Sequence, residues 1–126
     1  VTRINVVPVQ ELTRQHLVAE YREIMRLPKN LNQSLNRKSK PFSMDEIPSQ
    51  YKLGKGHIKF FFNKFKFLEN RFLDLLAEMD RRGYSANFRD SSMFKVSAEY
   101  YNDYKPTEEA MEINRQRIAE RIGGKK

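Results

Sequence analysis

Seven apolar residues between positions 61 and 79 restrict this chain more than any other stretch. Phe61, Phe65, Leu68, Phe72, Leu75, Leu76 and Met79 recur at helical spacing, the pattern of a helix that buries one face. Arg81 and Arg82 then suit the negative C-terminal end, and Gly83 supplies a left-handed stop. The phenylalanines of this helix read as core rather than as stacking platforms for bases.

A second amphipathic stretch starts between Glu11 and Thr13 and runs to near Leu27. At about 100° per residue, Leu17, Val18, Tyr21, Ile24 and Met25 make its apolar stripe. Gln15, Ala19, Arg22 and Arg26 fall opposite, flanked by His16 and Glu23. Two arginines in i, i+4 register beside one carboxylate suit a site that handles a polyanion and also does chemistry. A solvated face laced with i, i+4 pairs is the blander reading of the same pattern. Pro28 is expected to break or kink this helix, with helix resuming through Asn30–Arg37. A third helix opens at Pro106 and Thr107 and ends near Ile122. It turns Met111, Ile118 and Ile122 inward and sets Arg117 and Arg121 on another face.

Between these helices the chain reads as connection. Residues 37–57 form a long basic loop punctuated by Pro41, Pro48, Gly54 and Gly56. Its Gly54-Lys55-Gly56-His57 end suits either a phosphate held at a helix start or a plain tight turn. Residues 84–105 read as irregular, with one short helical turn. Residues 1–10 are extended by composition, and so apolar an arm is expected to pack rather than fray. The fold predicted is all-α: residues 1–126 as one compact domain, three main helices with long connecting loops, and the N-terminal arm packed on the core.

Composition narrows the function classes. The chain carries a formal charge of +8, and residues 29–66 hold nine Lys and Arg against Asp45 and Glu46 alone. Such an excess favours nucleic acid or another anionic surface as partner. With no cysteine, disulfides, thiolate nucleophiles and Cys-bound zinc are out of reach, and a reducing, cytoplasmic setting is expected. No apolar run approaches the roughly 20 residues of a membrane span, and nothing at the start resembles a signal peptide. A metal held by His16, Glu20 and Glu23 on one helical side is possible by spacing but disfavoured. Non-catalytic DNA binding by a helical module also fits the charge. A membrane-surface or acidic-protein binder fits it too, though it leaves Glu23 unexplained.

In order along nearly the whole chain, the residues resemble the phage-type pyrimidine dimer DNA glycosylases. The likeness begins at Thr2-Arg3-Ile4-Asn5, Glu11-Leu12, Gln15-His16-Leu17, Ala19-Glu20-Tyr21-Arg22-Glu23 and Arg26. It resumes at Leu53-Gly54, Gly56-His57, Phe60-Phe61, Lys64 and Phe67-Leu68. Arg82-Gly83, Asp103-Tyr104, Pro106, Glu108, Ile113, Arg117, Glu120 and Ile122 follow.

The resemblance implies a bifunctional enzyme, a glycosylase with abasic-site lyase activity, working through an imine on the N-terminal α-amine. It assigns the catalytic set to Thr2, Glu23 and Arg22. It assigns DNA contacts to Arg3, Gln15, His16, Arg22, Arg26, Arg117 and Arg121. It implies a monomer acting on double-stranded DNA with UV photoproducts or abasic sites, without metal or other cofactor. Two positions depart from the family pattern. Val1 stands where a removable initiator would be, so the nucleophilic amine is assigned to Thr2, with that of Val1 as the alternative. The chain also stops at Gly-Gly-Lys-Lys, where the family's prototype continues into an aromatic, basic tail, and weaker dimer selectivity or preference for another lesion is the expectation.

Overall fold

A computed structural model describes residues 4–123, with side chains through Arg121. Among them there are helices and no strands: α1 Arg14–Ile24, α2 Leu27–Leu35, α3 His57–Phe60, α4 Phe65–Arg81 and α5 Glu108–Gly123, with four short 3-10 turns between and before them. The all-α expectation holds, with α1, α4 and α5 as the three substantial helices.

The central element is α4. Its Phe65, Leu68, Phe72, Leu75, Leu76 and Met79 are buried, and three other pieces close over them. The Tyr21 ring of α1 stacks on Phe72 at 6.1 Å, and Phe94, from the 3-10 turn Ser92–Phe94, meets the same ring at 5.3 Å. The N-terminal arm adds Ile4, Val6, Val7, Val9 and Leu12, all buried. The arm is therefore a core element rather than an appendage.

Two boundaries and one helix face differ from the sequence reading. The first helix ends at Ile24, before Leu27. A proline ring collides with the carbonyl four residues back, and four residues before Pro28 stands Ile24. The chain turns at Met25 and Arg26 and restarts as α2, where Pro28 lies in the first turn and its missing N–H is no loss. Helix therefore resumes at Leu27, ahead of the expected Asn30.

The second difference concerns Phe61 and Phe65. Both are buried, yet they belong to different elements. Phe61 ends α3, and Lys64 donates to the Phe60 carbonyl at 2.8 Å where a continuous helix would have placed a backbone amide. On α5, third, the inward line is Ala110, Asn114 and Ile118, an amide where an aliphatic side chain was expected. Met111 is only partly buried against the core, and the Ile122 side chain lies outside the described residues.

The glycine-lysine-glycine segment resolves as a tight turn. Gly54 and Gly56 both take positive φ, 75° and 90°, and His57 N–H closes onto the Gly54 carbonyl at 3.1 Å. The helix that follows has four residues, too few for an aligned dipole to hold an anion.

Candidate active site

The first residues described are fastened by a buried polar network that draws on four helices and the loop before α3. The Ile4 N–H donates to His57 Nε2 at 3.0 Å. The other ring nitrogen, Nδ1, faces the Lys52 carbonyl at 2.8 Å. A carbonyl only accepts, so Nδ1 carries the proton and the ring is the neutral tautomer that can receive Ile4. The Tyr51 hydroxyl donates to the Ile4 carbonyl at 3.1 Å. Burial pushes the Tyr51 phenol well above its usual range, so it stays a donor.

Asn5 links two helices. Its amide donates to Glu20 Oε1 on α1 at 2.9 Å, and its carbonyl accepts from Asn114 on α5 at 2.7 Å. The Asn114 Oδ1 in turn accepts from the backbone N–H groups of Val6 and Val7 at 2.7 and 3.2 Å. Arg71, on α4, meets Glu20 through Nε and Nη2 at 2.7 and 3.0 Å and donates Nη1 to the Val7 carbonyl. Glu20 is 0% exposed, yet both its oxygens accept charge-assisted bonds, the condition under which a buried carboxylate is tolerated. Both oxygens are thus engaged, which removes Glu20 from the metal grouping with His16 and Glu23. Further along, Arg82 Nη2 donates to the Leu12 carbonyl at 2.8 Å. Glu78, its carboxyl drawn down to about 2 by hydrogen bonds from Arg81 and Arg82, holds that guanidinium in place.

The outer side of α1 is different. Gln15, Arg22 and Arg26 are exposed. Glu23 keeps 24% of its side chain exposed and pairs with Arg26 at 3.2 Å, while Arg26 is itself 69% exposed. His16 departs from its place on the polar flank: it is buried at the helix start. There the Thr13 hydroxyl accepts from the His16 N–H at 3.2 Å and lies 2.7 Å from His16 Nδ1, an N-cap that also orients the ring. On α5, Arg117 is half-buried with Glu120 at 3.5 Å, and Arg121 is exposed. Thr2 and Arg3 lie outside the described residues.

Glu20 and Glu23 are three residues apart on α1, about 4.5 Å along its axis. The structure thus brings the Glu23 face and the anchored arm onto one short length of helix, with Arg117 one turn beyond Asn114 on α5. Sequence reasoning missed Asn5, Glu20, Tyr51, His57, Arg71 and Asn114 as anchors. One signal was present. Glu20 lies about 40° from Ile24 on the helical wheel, closer to it than Val18 is, and a carboxylate in an apolar stripe announces a buried partner.

Lys64 is the one described lysine whose ammonium is pushed well down, to about 8, and the cause is burial. It sits 3.9 Å from the Phe60 ring centroid and 5.5 Å from that of Tyr104, and it donates to Phe60 O and to Asn63 Oδ1. Its work is to close the end of α3. In the basic loop, Glu46 receives Lys59 at 2.8 Å and Arg37 at 3.7 Å. Lys38, Lys40 and Lys55 of the same loop are exposed.

No helix of the described chain is long and apolar enough to cross a membrane. An N-terminal arm anchored at Ile4 through Val7, a carboxylate 24% exposed and two exposed arginines within one turn of it suit contact with a phosphate backbone. The family profile of the pyrimidine dimer DNA glycosylases matches residues 1–92, close to three quarters of the sequence, including the arm and all of α1 through α4. By that match the chain is a member of the pyrimidine dimer DNA glycosylase family, an enzyme of DNA repair.

Proposed function

We propose that this glycosylase is also an abasic-site lyase, acting on UV-induced cyclobutane pyrimidine dimers through an imine on its N-terminal α-amine. The amine is assigned to Thr2, with Val1 as the alternative. Its lone pair attacks C1′ of the damaged nucleotide. The glycosidic C1′–N bond breaks, and the base leaves with the electron pair and takes up a proton. The C1′–O4′ bond then breaks, O4′ takes up a proton released by the attacking amine, and the nitrogen lone pair closes onto C1′ to give an open-chain iminium. Loss of a C2′ proton then expels the 3′ phosphate by β-elimination, and water hydrolyses the conjugated imine to return the free amine. Glu23 stabilises the cationic sugar and iminium and accepts the C2′ proton. Arg22 and Arg26 hold the flanking phosphates, with Arg3, Gln15, His16, Arg117 and Arg121 completing the DNA contacts.

The observation that carries this reading is the clamp on Ile4 through Val7. A nucleophile must be held to a fraction of an ångström, and a chain terminus ordinarily is not. Here backbone groups of Ile4, Val6 and Val7 are all engaged by buried side chains. Two residues of chain reach at most about 7 Å, which bounds the volume an amine on Thr2 has to search. Amine chemistry at neutral pH also favours the terminus. An α-amine titrates near 7.8 and a free lysine near 10.4, so the terminus has roughly 10²–10³ times the neutral fraction. The described exception, Lys64, already spends its protons on Phe60 and Asn63.

A duplex bearing one defined dimer tests the assignment. Glu23→Gln is expected to bind it like the parent and to nick it at least a hundredfold more slowly; equal nicking removes Glu23 from the chemistry. Borohydride trapping followed by peptide mapping should place the adduct on the N-terminal peptide, and intact mass decides between Thr2 and Val1. An adduct on Lys64 or another internal lysine overturns the amine assignment.

A further inference from the structure

The connection after α4 is pinned at several points, and between the pins it displays one phenylalanine. It leaves α4 through a Schellman turn: the Tyr84 N–H reaches the Met79 carbonyl at 2.8 Å and the Gly83 N–H reaches Asp80 at 3.1 Å, with Gly83 at φ 80°. The Arg14 guanidinium lies 5.4 Å from the centroid of the Tyr84 ring. Four residues on, the Tyr21 hydroxyl donates to the Phe88 carbonyl at 2.7 Å and accepts the Phe88 N–H at 2.9 Å. Arg89 then returns to Asp80 with a two-pronged bridge at 3.1 and 2.6 Å. The segment therefore runs alongside α1 from Arg14 to Tyr21, and both backbone groups of Phe88 are held by one phenol. Its side chain nonetheless stands 45% exposed.

Single exposed hydrophobics are common and need no explanation. This one is unusual because its backbone is fixed, and because its anchor, Tyr21, belongs to the same helix as Arg22, about 100° round from it. An N-glycosidic bond in a duplex is shielded by stacked bases, so an enzyme that cleaves it must open the stack. An aromatic with a fixed backbone, on the flank of the helix that carries Arg22 and Arg26, is a side chain suited to fill or face the gap.

We propose that Phe88 is a stacking contact, packing on the face of a base laid bare beside the lesion and so contributing to discrimination between damaged and intact duplex. The proposal rests on the reading that the Arg22 and Arg26 ridge faces DNA. It does not depend on the imine chemistry.

The test uses a duplex with an uncleavable tetrahydrofuran abasic analogue, so that binding is read without turnover, alongside the same duplex undamaged. Phe88→Ala is expected to bind the analogue about tenfold more weakly, the scale of one aromatic–base stack, and to bind the undamaged duplex within about twofold of the parent. Phe88→Trp should retain the preference. Because the chain has no tryptophan, that variant also reports directly: its indole fluorescence should be quenched by the analogue duplex and not by the undamaged one. Unchanged analogue binding by Phe88→Ala, or equal quenching by both duplexes, overturns the proposal. Neither outcome bears on the Glu23 nicking assay, so the two readings fail separately.

Discussion

Two glutamates one helical turn apart on α1 live in opposite surroundings. Glu20 is sealed in the core, with both oxygens bonded to Arg71 and Asn5. Glu23 stands at the surface with one bond, from an arginine that is mostly in water. A buried pair in low dielectric is stiff and costly to break, whereas an exposed pair is screened and exchanges easily. The first carboxylate therefore serves as an anchor. The second is free to change partners, which is what a group handling a transient cation needs. The same residue type on one helix is divided between holding the arm and, in the proposed mechanism, acting beside it, and the divider is solvent access.

The largest test of that division is stability. Glu20→Gln leaves the Arg71 guanidinium buried without its counter-charge and is expected to cost about 3–5 kcal/mol in denaturant unfolding. Glu23→Gln should stay within about 0.5 kcal/mol of the parent, since exposed pairs contribute little. Equal losses at the two positions would erase the distinction. A smaller loss is expected at Asn114. Asn114→Ala strips the Val6 and Val7 N–H groups and the Asn5 carbonyl of their partner, about 2–3 kcal/mol. Nicking should slow with it even at temperatures where the variant is folded, because the arm is less constrained. A variant equally destabilised and fully active would separate arm anchoring from catalysis.

The smallest effect is in acid. Glu78 is held down to about 2 from an ordinary 4.5, so its contribution is complete above pH 4.5 and is lost as pH falls from there toward about 2. Urea midpoints should drop more steeply across that window for the parent than for Glu78→Gln. Parallel curves would mean that Arg81 and Arg82 do not perturb this carboxyl. Because Arg82 also holds the Leu12 carbonyl, the same window should loosen the entry to α1.

Much of the fold was legible because local rules settle it. The Phe65–Met79 periodicity, the Gly83 stop and the Pro28 interruption are decided within a few residues by torsion angles, orphan carbonyls and spacing. Where two local rules competed, the reading slipped. Phe61 obeyed the helical spacing of α4 yet sits on α3, because a lysine side chain can stand in for a backbone amide. The outer face of α1, with Gln15, Arg22, Glu23 and Arg26, was equally visible, since exposure follows from amphipathic phase.

The buried network was not legible, and it is the part that makes a candidate site of the surface. Asn5, Glu20, Arg71 and Asn114 are polar residues that composition assigns to solvent. Only the assembled core shows that each supplies what another lacks: Arg71 is 51 positions from Glu20 and Asn114 is 109 from Asn5. By itself the sequence determined the helices, the basic surface and the family likeness, because these follow from neighbours in the chain and from summed charge. Tertiary structure alone decided that the arm is clamped and that Glu20 is sealed while Glu23 is not, because pairing and desolvation depend on which distant groups arrive together.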